Sequence, residues 1–214
     1  MRLGRGGAVS MTARKPALAM LVRRFTRAAG RIRMESLMSL VKGWAGKPSH
    51  PPLTDASIGA YTVGVAMLVL GALGVEEEQM AHGALLAISG GLILAAPTAL
   101  TGLLDWLDIP KGTPKRTVAT IHLLTMVTAT VVFALTWLVQ LDGYKDDEVE
   151  TLGLILGLVA EGTLAIGGFI GGTIVFVYGH RVLKRPETPV AAALRPGALE
   201  DGTDSPPAPS PPRD

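Results

Sequence analysis

Histidines and carboxylates beside long apolar runs are the residues of this sequence best suited to chemistry. His122 stands inside such a run, and Asp105 lies at the end of the run before it. His50 and His180 flank two further runs. Imidazoles ligate haem iron and transition metals, and carboxylates complete metal sites or form ion pairs. The sequence therefore raises the hypothesis of one cofactor or metal site built from separate segments.

Composition limits this chemistry and indicates the class of protein. The chain has 214 residues, of which 48% are apolar, with 26 Gly and no Cys, and its mean hydropathy is positive. Such values are typical of a membrane protein. The lack of Cys excludes disulfides, thiolate nucleophiles and cysteine-ligated clusters. The sequence also has no phosphate-binding loop, His-Glu-x-x-His motif or nucleophile elbow, which favours a non-enzymatic protein over an enzyme.

Four apolar runs would have to position the candidate site. They cover residues 57–75, 83–104, 117–141 and 151–179. A helix needs roughly 20 residues to cross a hydrocarbon core of about 30 Å, and each run is close to that length. The runs lack the period-two alternation of a transmembrane barrel, so their backbone must be satisfied within helices. The sequence predicts an all-α integral membrane four-helix bundle over residues 48–184.

Charges beside the runs predict its orientation. Eleven of the twenty Lys and Arg lie in residues 1–47, against the single acid Glu35. The segments 76–79 and 142–150 carry eight acids and one Lys. By the positive-inside rule, both termini and the loop near residues 111–116 are expected in the cytoplasm.

The two ends of the chain differ from the bundle in composition. Within residues 1–47, apolar side chains recur at helical spacing between arginines over residues 17–45, which predicts an amphipathic helix lying on anionic lipid. The alternative is a disordered or mis-started leader. This basic segment is not interpreted as a nucleic-acid contact, because its apolar stripe suits lipid. Residues 185–214 are rich in Pro and acids and are predicted to be disordered.

Most polar residues near the helix ends are expected at one depth in this topology, and two are not. His82 is expected alone near the opposite face, and Glu161 about a third of the way across from that face. The residues predicted to converge in one layer at the cytoplasmic side are His50 before helix one, Asp55 in its first turn, Asp105 and Trp106 closing helix two, Arg116 and His122 opening helix three, and Tyr178 and His180 ending helix four.

Most of these residues also have a purely structural interpretation. Asp55 could be a first-turn acid that the helix dipole stabilises, and Asp105 could close a hairpin by pairing with Arg116. Trp106 suits the aromatic belt at the membrane surface, and His180 suits a solvated helix end. The candidates for a structural polar cluster are thus Asp55, Asp105, Trp106 and Arg116. His122 differs, because an ionisable residue inside an apolar run is costly and is by default a functional candidate.

Several short motifs have a further implication. They are His50-Pro51 with Asp55, then 102-GLLDWLDIP-110, then Arg116 with His122, and finally 167-GGFIGGTIVFVYGHRV-182. In this order they resemble the bacterial membrane proteins grouped as domain of unknown function 2231, over about residues 48–184. The resemblance implies a four-helix protein of the bacterial inner (plasma) membrane with no settled activity. Some members are similar to segments joined to Rieske-type iron–sulfur domains, whose cysteines this chain lacks, so only a redox setting is implied.

Four functions remain open from the sequence, which favours the first of them over the haem protein that is its main alternative. The first is a non-enzymatic accessory or scaffold component of a membrane assembly, with a protein partner or a second copy of the chain. The second is a b-type haem protein for electron transfer, with His122 and either His50 or His180 as ligands and glycines 167–172 giving room. The third is a zinc or iron site of these three histidines with Asp55 or Asp105. The fourth is a proton path, in which the intramembrane acid Glu161 would connect to the same layer.

Overall fold

The computed structural model describes residues 41, 43–44, 47–182 and 187–194. The chain divides into two compact units, Met1–Val41 and Lys42–Asp214, and everything below concerns the second. The predicted arm lies outside the described residues except at its end, and so does the predicted disordered tail except at residues 187–194. In that tail segment the structure contains a short helix, α5 (Val190–Leu194).

The end of the arm differs from its predicted helical pattern. Two short strands, β1 (Gly43–Trp44) and β2 (Lys47–Pro48), pair in antiparallel register. The helical spacing that led to Trp44 therefore does not hold at Gly43–Trp44. Gly and Pro both disfavour a helix interior, and Gly43, Gly46 and Pro48 lie in this stretch.

Four long helices follow in the described part of the chain. They are α1 (His50–Ala72), α2 (Glu77–Asp108), α3 (Pro114–Asp146) and α4 (Thr151–Phe176). Each is long and apolar enough to cross a membrane. The predicted four-helix membrane fold is thus confirmed. α1 packs mainly on α2 and α3 mainly on α4, so the bundle consists of two helical hairpins.

The helix ends differ from the ends of the apolar runs. α1 begins at His50 itself, so Asp55 lies in the second turn rather than the first. α3 continues to Asp146 through a segment that was predicted to be a loop. α4 ends at Phe176, so His180 follows the helix. Hydropathy marks where a helix leaves lipid, whereas a helix ends where its backbone hydrogen bonding ends, and polar turns extend beyond the membrane.

The helix α2 remains one element through Pro97. Pro97 lacks the N–H that would bond to the Ile93 carbonyl, so one helical hydrogen bond is missing while the neighbouring turns continue. Here the Thr101 hydroxyl donates to the Pro97 carbonyl at 3.0 Å. The Thr98 hydroxyl donates to the Leu94 carbonyl at 2.7 Å. Both threonines are buried beside the candidate site.

The two hairpins repeat one pattern of burial. A shift of 72 residues, as from Tyr61 to Phe133, relates buried positions of α1 and α3, and a shift of 69, as from Ile88 to Gly157, relates those of α2 and α4. The Tyr61 and Phe133 rings stack at 3.9 Å between centroids and 4° between planes. Contact between equivalent positions is the signature of a two-fold arrangement. Further related pairs are Ser57 with Ala129, Gly64 with Thr136, Leu68 with Gln140, Gly71 with Gly143, Ala84 with Gly153, Gly91 with Ala160, Thr98 with Gly167 and Asp105 with Ile174.

Candidate functional site

A cavity of about 420 Å³ opens between the four helices at the end where α1 and α3 begin. Its volume lies in the range of about 300–1,000 Å³ that is usual for small-molecule sites. It reaches from His50 down to Tyr61, eleven residues along α1, which corresponds to about 16 Å of helix. The wall is mostly apolar, and it includes the predicted residues His50, Asp55, Asp105, Trp106, His122 and His180.

His50 and His122, one in each hairpin, share one hydrogen-bond arrangement, although His50 Nδ1 also lies 3.2 Å from the Thr101 hydroxyl. The His50 Nδ1 atom lies 3.1 Å from the Thr98 carbonyl oxygen of α2. The His122 Nδ1 atom lies 2.8 Å from the Gly167 carbonyl oxygen of α4. A carbonyl only accepts, so in both rings Nδ1 carries the proton that is donated. In the neutral imidazole, Nε2 is then the nitrogen with the free lone pair.

Both rings also pack against a glycine of the partner helix. A Cβ atom on Gly102 would lie 2.7 Å from His50 Cε1, and one on Gly171 would lie 2.9 Å from His122 Cε1. Each glycine lies four residues after the carbonyl that receives the hydrogen bond. The shifts of 72 and 69 residues relate His50 to His122 and Gly102 to Gly171 as well. The cavity therefore contains one imidazole arrangement twice.

His180 reaches the same cavity from beyond the end of α4. It was interpreted as a solvated helix end, but its Nε2 atom is buried and has no hydrogen-bond partner among the described residues. Burial lowers the pKa of His180 below its ordinary value, and the positive charges of Lys115 and Arg181 lower it further. The neutral form is favoured, so Nε2 or Nδ1 retains a lone pair.

Asp105 pairs with Arg181 and not with Arg116. The Arg181 guanidinium donates to Asp105 Oδ1 at 2.5 Å and lies 3.5 Å from Asp108 Oδ2. Only about 10% of the Asp105 side chain is exposed. A carboxylate this buried requires a paired cation. The predicted hairpin-closing pair is thus wrong, because the chain after α4 folds back over the end of α2 and brings Arg181 closer.

Arg116 instead holds the end of α2 through the backbone. Its guanidinium donates to the carbonyls of Trp106 and Ile109, the latter at 3.0 Å. It also lies 3.3 Å from the centre of the Trp106 ring. The Trp106 indole donates to the Thr120 hydroxyl at 3.0 Å. Trp106 is therefore part of a fixed polar contact between α2 and α3.

The remaining predicted residues are less closely joined to the cavity. Asp55 lines it but is exposed. Glu161 is not part of its wall; Glu161 Oε1 accepts a hydrogen bond of 2.8 Å from Thr62, and its Oε2 is buried without a partner among the described residues. His82 is not alone, since its Nε2 lies 3.0 Å from Asp147 Oδ1.

Among the residues that the structure describes, a set of side chains close enough to share a metal ion lies outside the cavity. The set of three potential ligands whose atoms lie within 4.8 Å of one another is Glu78, His82 and Asp147. The three cavity histidines, with or without Asp55 or Asp105, do not form such a set. The arrangement therefore does not favour a single ion held by all three.

Several cavity residues were not predicted from the sequence. Thr98 and Gly102 fix His50, Arg181 neutralises Asp105, and the Tyr61 hydroxyl is buried in the cavity wall without a hydrogen-bond partner in the described part of the chain. For Tyr61 a signal was present, because it is one of three tyrosines and lies in the middle of an apolar run. Arg181 adjoins His180 and had been assigned only to the charge pattern that predicts orientation.

These observations define an integral membrane protein of four helices that encloses a cavity lined by imidazoles. The family model described as predicted membrane protein (DUF2231) matches residues 46–184. The chain belongs to this family, which confirms the resemblance. The match includes both hairpins and every residue that lines the cavity. No curated protein and no solved structure matches the chain.

Proposed function

We propose that the protein binds a b-type haem in this cavity and serves as an electron-transfer component of a membrane assembly. The observation that carries the proposal is the paired arrangement of His50 and His122. In both, Nδ1 donates to a backbone carbonyl and Nε2 makes at most one long contact, 3.5 Å from the Thr54 hydroxyl to His50. This is the usual arrangement of metal-ligating histidine, in which the second nitrogen donates to a carbonyl and so fixes tautomer and orientation.

The residues present fit such a cofactor. His122 would be one ligand, with His50 or His180 as the other. The cavity wall is mostly apolar, and Gly168, Gly171 and Gly172 leave part of it without side chains. Because the cavity continues down to Tyr61, a cofactor would not have to remain at the shallow end where His50 and His180 lie. A bound haem would supply one-electron chemistry, with its potential set by the axial ligands and by burial.

The chain's own residues would do the positioning. The Thr98 and Gly167 carbonyls hold the two imidazoles at fixed orientation, and Gly102 and Gly171 allow the rings to lie close to the partner helices. Arg181 is positioned by Asp105 at the rim, where a cation suits the carboxylates of a tetrapyrrole.

A second candidate is a non-enzymatic scaffold or accessory subunit. The observation that favours it is the network at the same end, in which Asp105 with Arg181, and Arg116 with the Trp106 carbonyl, already satisfy one another. In that function the imidazoles only connect helices within each hairpin. A proton path through Glu161 is supported less, since Glu161 lies outside the cavity wall.

The absorption spectrum of the purified protein, before and after incubation with haemin, distinguishes the two candidates. We expect a Soret band in the wild type that is lost in both His122→Ala and His122→Gln, because an amide is a poor iron ligand. In the scaffold, Gln keeps a hydrogen-bond donor for the Gly167 carbonyl, and such contacts between membrane helices contribute only about 0.6 kcal/mol on average. A haem-free wild type with a near-normal Gln variant would refute the haem proposal.

The membrane setting is also proposed in finer detail. The four spans contact the lipid bilayer, and the basic residues support an orientation with both termini in the cytoplasm. The resemblance to bacterial membrane proteins supports the bacterial inner membrane as the location. Residues 17–45 would contact anionic lipid. Cosedimentation with vesicles, compared between the full chain and a form without residues 1–46, tests the last point. Equal binding of both forms to anionic and neutral vesicles would contradict it.

A further inference from the structure

A histidine and two carboxylates meet at the end of the bundle opposite the cavity. Glu78 and His82 are four residues apart near the start of α2, so they share one face of that helix. Asp147 follows the end of α3 in the left-handed conformation, with φ of 60°. The potential ligand atoms of these three residues all lie within 4.8 Å of one another.

One distance between two of the potential ligand atoms is close to that around a bound ion. His82 Nε2 lies 3.0 Å from Asp147 Oδ1 and 3.0 Å from the Tyr144 carbonyl oxygen. Ligand bonds of about 2.0–2.2 Å in a tetrahedral zinc site place neighbouring ligand atoms about 3.4 Å apart. The separation of His82 Nε2 and Asp147 Oδ1 is therefore compatible with two ligands of one ion. The Glu78 side chain makes no hydrogen bond or ion pair with any residue that the structure describes, so its carboxylate is available.

Hydrogen bonds from α3 fix the backbone of the segment that carries Asp147. The fully buried Gln140 donates to the Glu148 carbonyl at 2.9 Å and accepts from the Glu150 N–H at 3.2 Å. The Glu148 N–H donates to the Gly143 carbonyl at 2.9 Å. The Tyr144 ring packs on His82 with 4.3 Å between centroids. The ligand positions thus depend on ordered backbone and not on a free loop.

We propose that Glu78, His82 and Asp147 form a binding site for a divalent cation of the zinc class. One imidazole nitrogen with two carboxylates suits zinc and its neighbours in the first transition row, whereas magnesium and calcium prefer oxygen ligands alone. Without an ion, Nε2 of His82 carries the proton, because the Tyr144 carbonyl and Asp147 Oδ1 beside it only accept. An ion would bind the other tautomer, in which Nε2 has the lone pair and Nδ1 carries the proton, and the hydrogen bond to the Tyr144 carbonyl would be lost. Three protein ligands leave a fourth position for water.

The surrounding charge favours a cation at this place. The connections 76–79 and 142–150 carry eight acids and one Lys, and Lys145 is paired with Asp142 at 2.8 Å. Such a surface concentrates cations locally. Because Glu78 and His82 belong to the first hairpin and Asp147 to the second, a bound ion would also link the two hairpins directly.

Calorimetric titration of Zn²⁺ into metal-stripped, tag-free protein tests this site. We expect one ion per chain with a higher affinity than Mg²⁺ or Ca²⁺. Loss of an outer-shell partner alone typically weakens metal binding about 10- to 100-fold, so His82→Ala and Asp147→Asn should each weaken it by at least about tenfold. Asp146→Asn is the matched control, since it removes the same charge from the neighbouring exposed position.

Two outcomes would overturn the proposal. Equal weakening by Asp146→Asn and Asp147→Asn would mean that Zn²⁺ responds only to the acidic surface. Unchanged Zn²⁺ affinity in His82→Ala would mean that the ion binds elsewhere, for example at the cavity histidines. Thermal unfolding with and without Zn²⁺ gives a second measurement, in which only the wild type and the Asp146→Asn variant should be stabilised by the ion.

Discussion

The packing of His122 on Gly171 gives the sharpest test of the site, through the substitution Gly171→Ala. The added Cβ would lie 2.9 Å from His122 Cε1, whereas ordinary contacts begin near 3.4 Å. The ring would have to withdraw by about half an ångström. That movement would lengthen the hydrogen bond of 2.8 Å between Nδ1 and the Gly167 carbonyl. The substitution therefore changes the position of the imidazole without changing its chemistry.

The expected change in the free energy of unfolding of Gly171→Ala is the balance of two effects. Overpacking a well-packed site costs about 1–3 kcal/mol, while Ala in place of Gly in a helix interior gains about 0.5–1 kcal/mol. We expect Gly171→Ala to be about 1 kcal/mol less stable than the wild type. Gly162→Ala is the control, because nothing lies within 4 Å of a Cβ there, and it should be neutral or more stable.

Thermal unfolding in detergent, with the haem spectrum as a second measurement, decides the matter. Gly171→Ala should lower the unfolding temperature and shift or weaken any Soret band, and Gly162→Ala should do neither. The reasoning would be refuted if both variants were equally stable and spectrally identical to the wild type. In that case His122 would not be held against α4 as described.

Three further predictions concern orientation, the ion pair and pH. A cysteine at Glu77 should react with a membrane-impermeant thiol reagent in intact cells and one at Thr113 should not; the reverse result would overturn the proposed orientation. Arg181→Gln should cost up to about 3 kcal/mol, because it leaves the buried Asp105 carboxylate unpaired; this is the lower end for a buried pair, since 32% of the Arg181 side chain is exposed. The double variant with Asp105→Asn should cost less than the sum of the single variants in thermal unfolding. The lowered pKa of His180 means that the unfolded chain binds a proton first, so stability should fall as pH falls through 6.5. His180→Gln should flatten that pH dependence of the unfolding temperature, and an unchanged slope would contradict the assignment.

The class of fold could be predicted because the membrane makes it depend on simple quantities. Apolar run length and the need to satisfy backbone groups in lipid leave little choice of structure. The arrangement of His50, Asp105 and His122 around one cavity could also be predicted, since antiparallel helices place residues of equal depth in the membrane close together. The depth of a residue in the membrane can thus be predicted from the sequence of its own helix.

Which side chains contact one another could not be predicted in the same way. Asp105 pairs with Arg181, which is 76 residues away and follows the end of α4. A nearer cation, Arg116, was predicted as its partner because sequence distance was the available guide. The contact of His82 with Asp147 was missed for the same reason, since α3 was expected to end several residues earlier. These contacts depend on helix ends and loop paths, which hydropathy does not fix.

The repeat of the two hairpins bears directly on the choice between haem protein and scaffold. It was not evident in the sequence, because the related positions share burial more than residue type, as with Leu68 and Gln140. At most positions, then, packing tolerates different side chains, yet the positions of His50 and His122 both have imidazole. A donor to the Thr98 and Gly167 carbonyls is all that a helix contact needs, and Gln could supply it.

The second nitrogen of each ring has no part in that contact. An imidazole at both related positions, each with its lone pair directed away from the carbonyl that it binds, therefore exceeds what a scaffold requires and equals what an axial ligand requires. Asp105, Arg181 and His180 have no counterpart in the other half, since the related positions are Ile174, Gly112 and Lys111. They add charged and polar groups to one part of the rim of the cavity, which would favour one orientation of a bound tetrapyrrole.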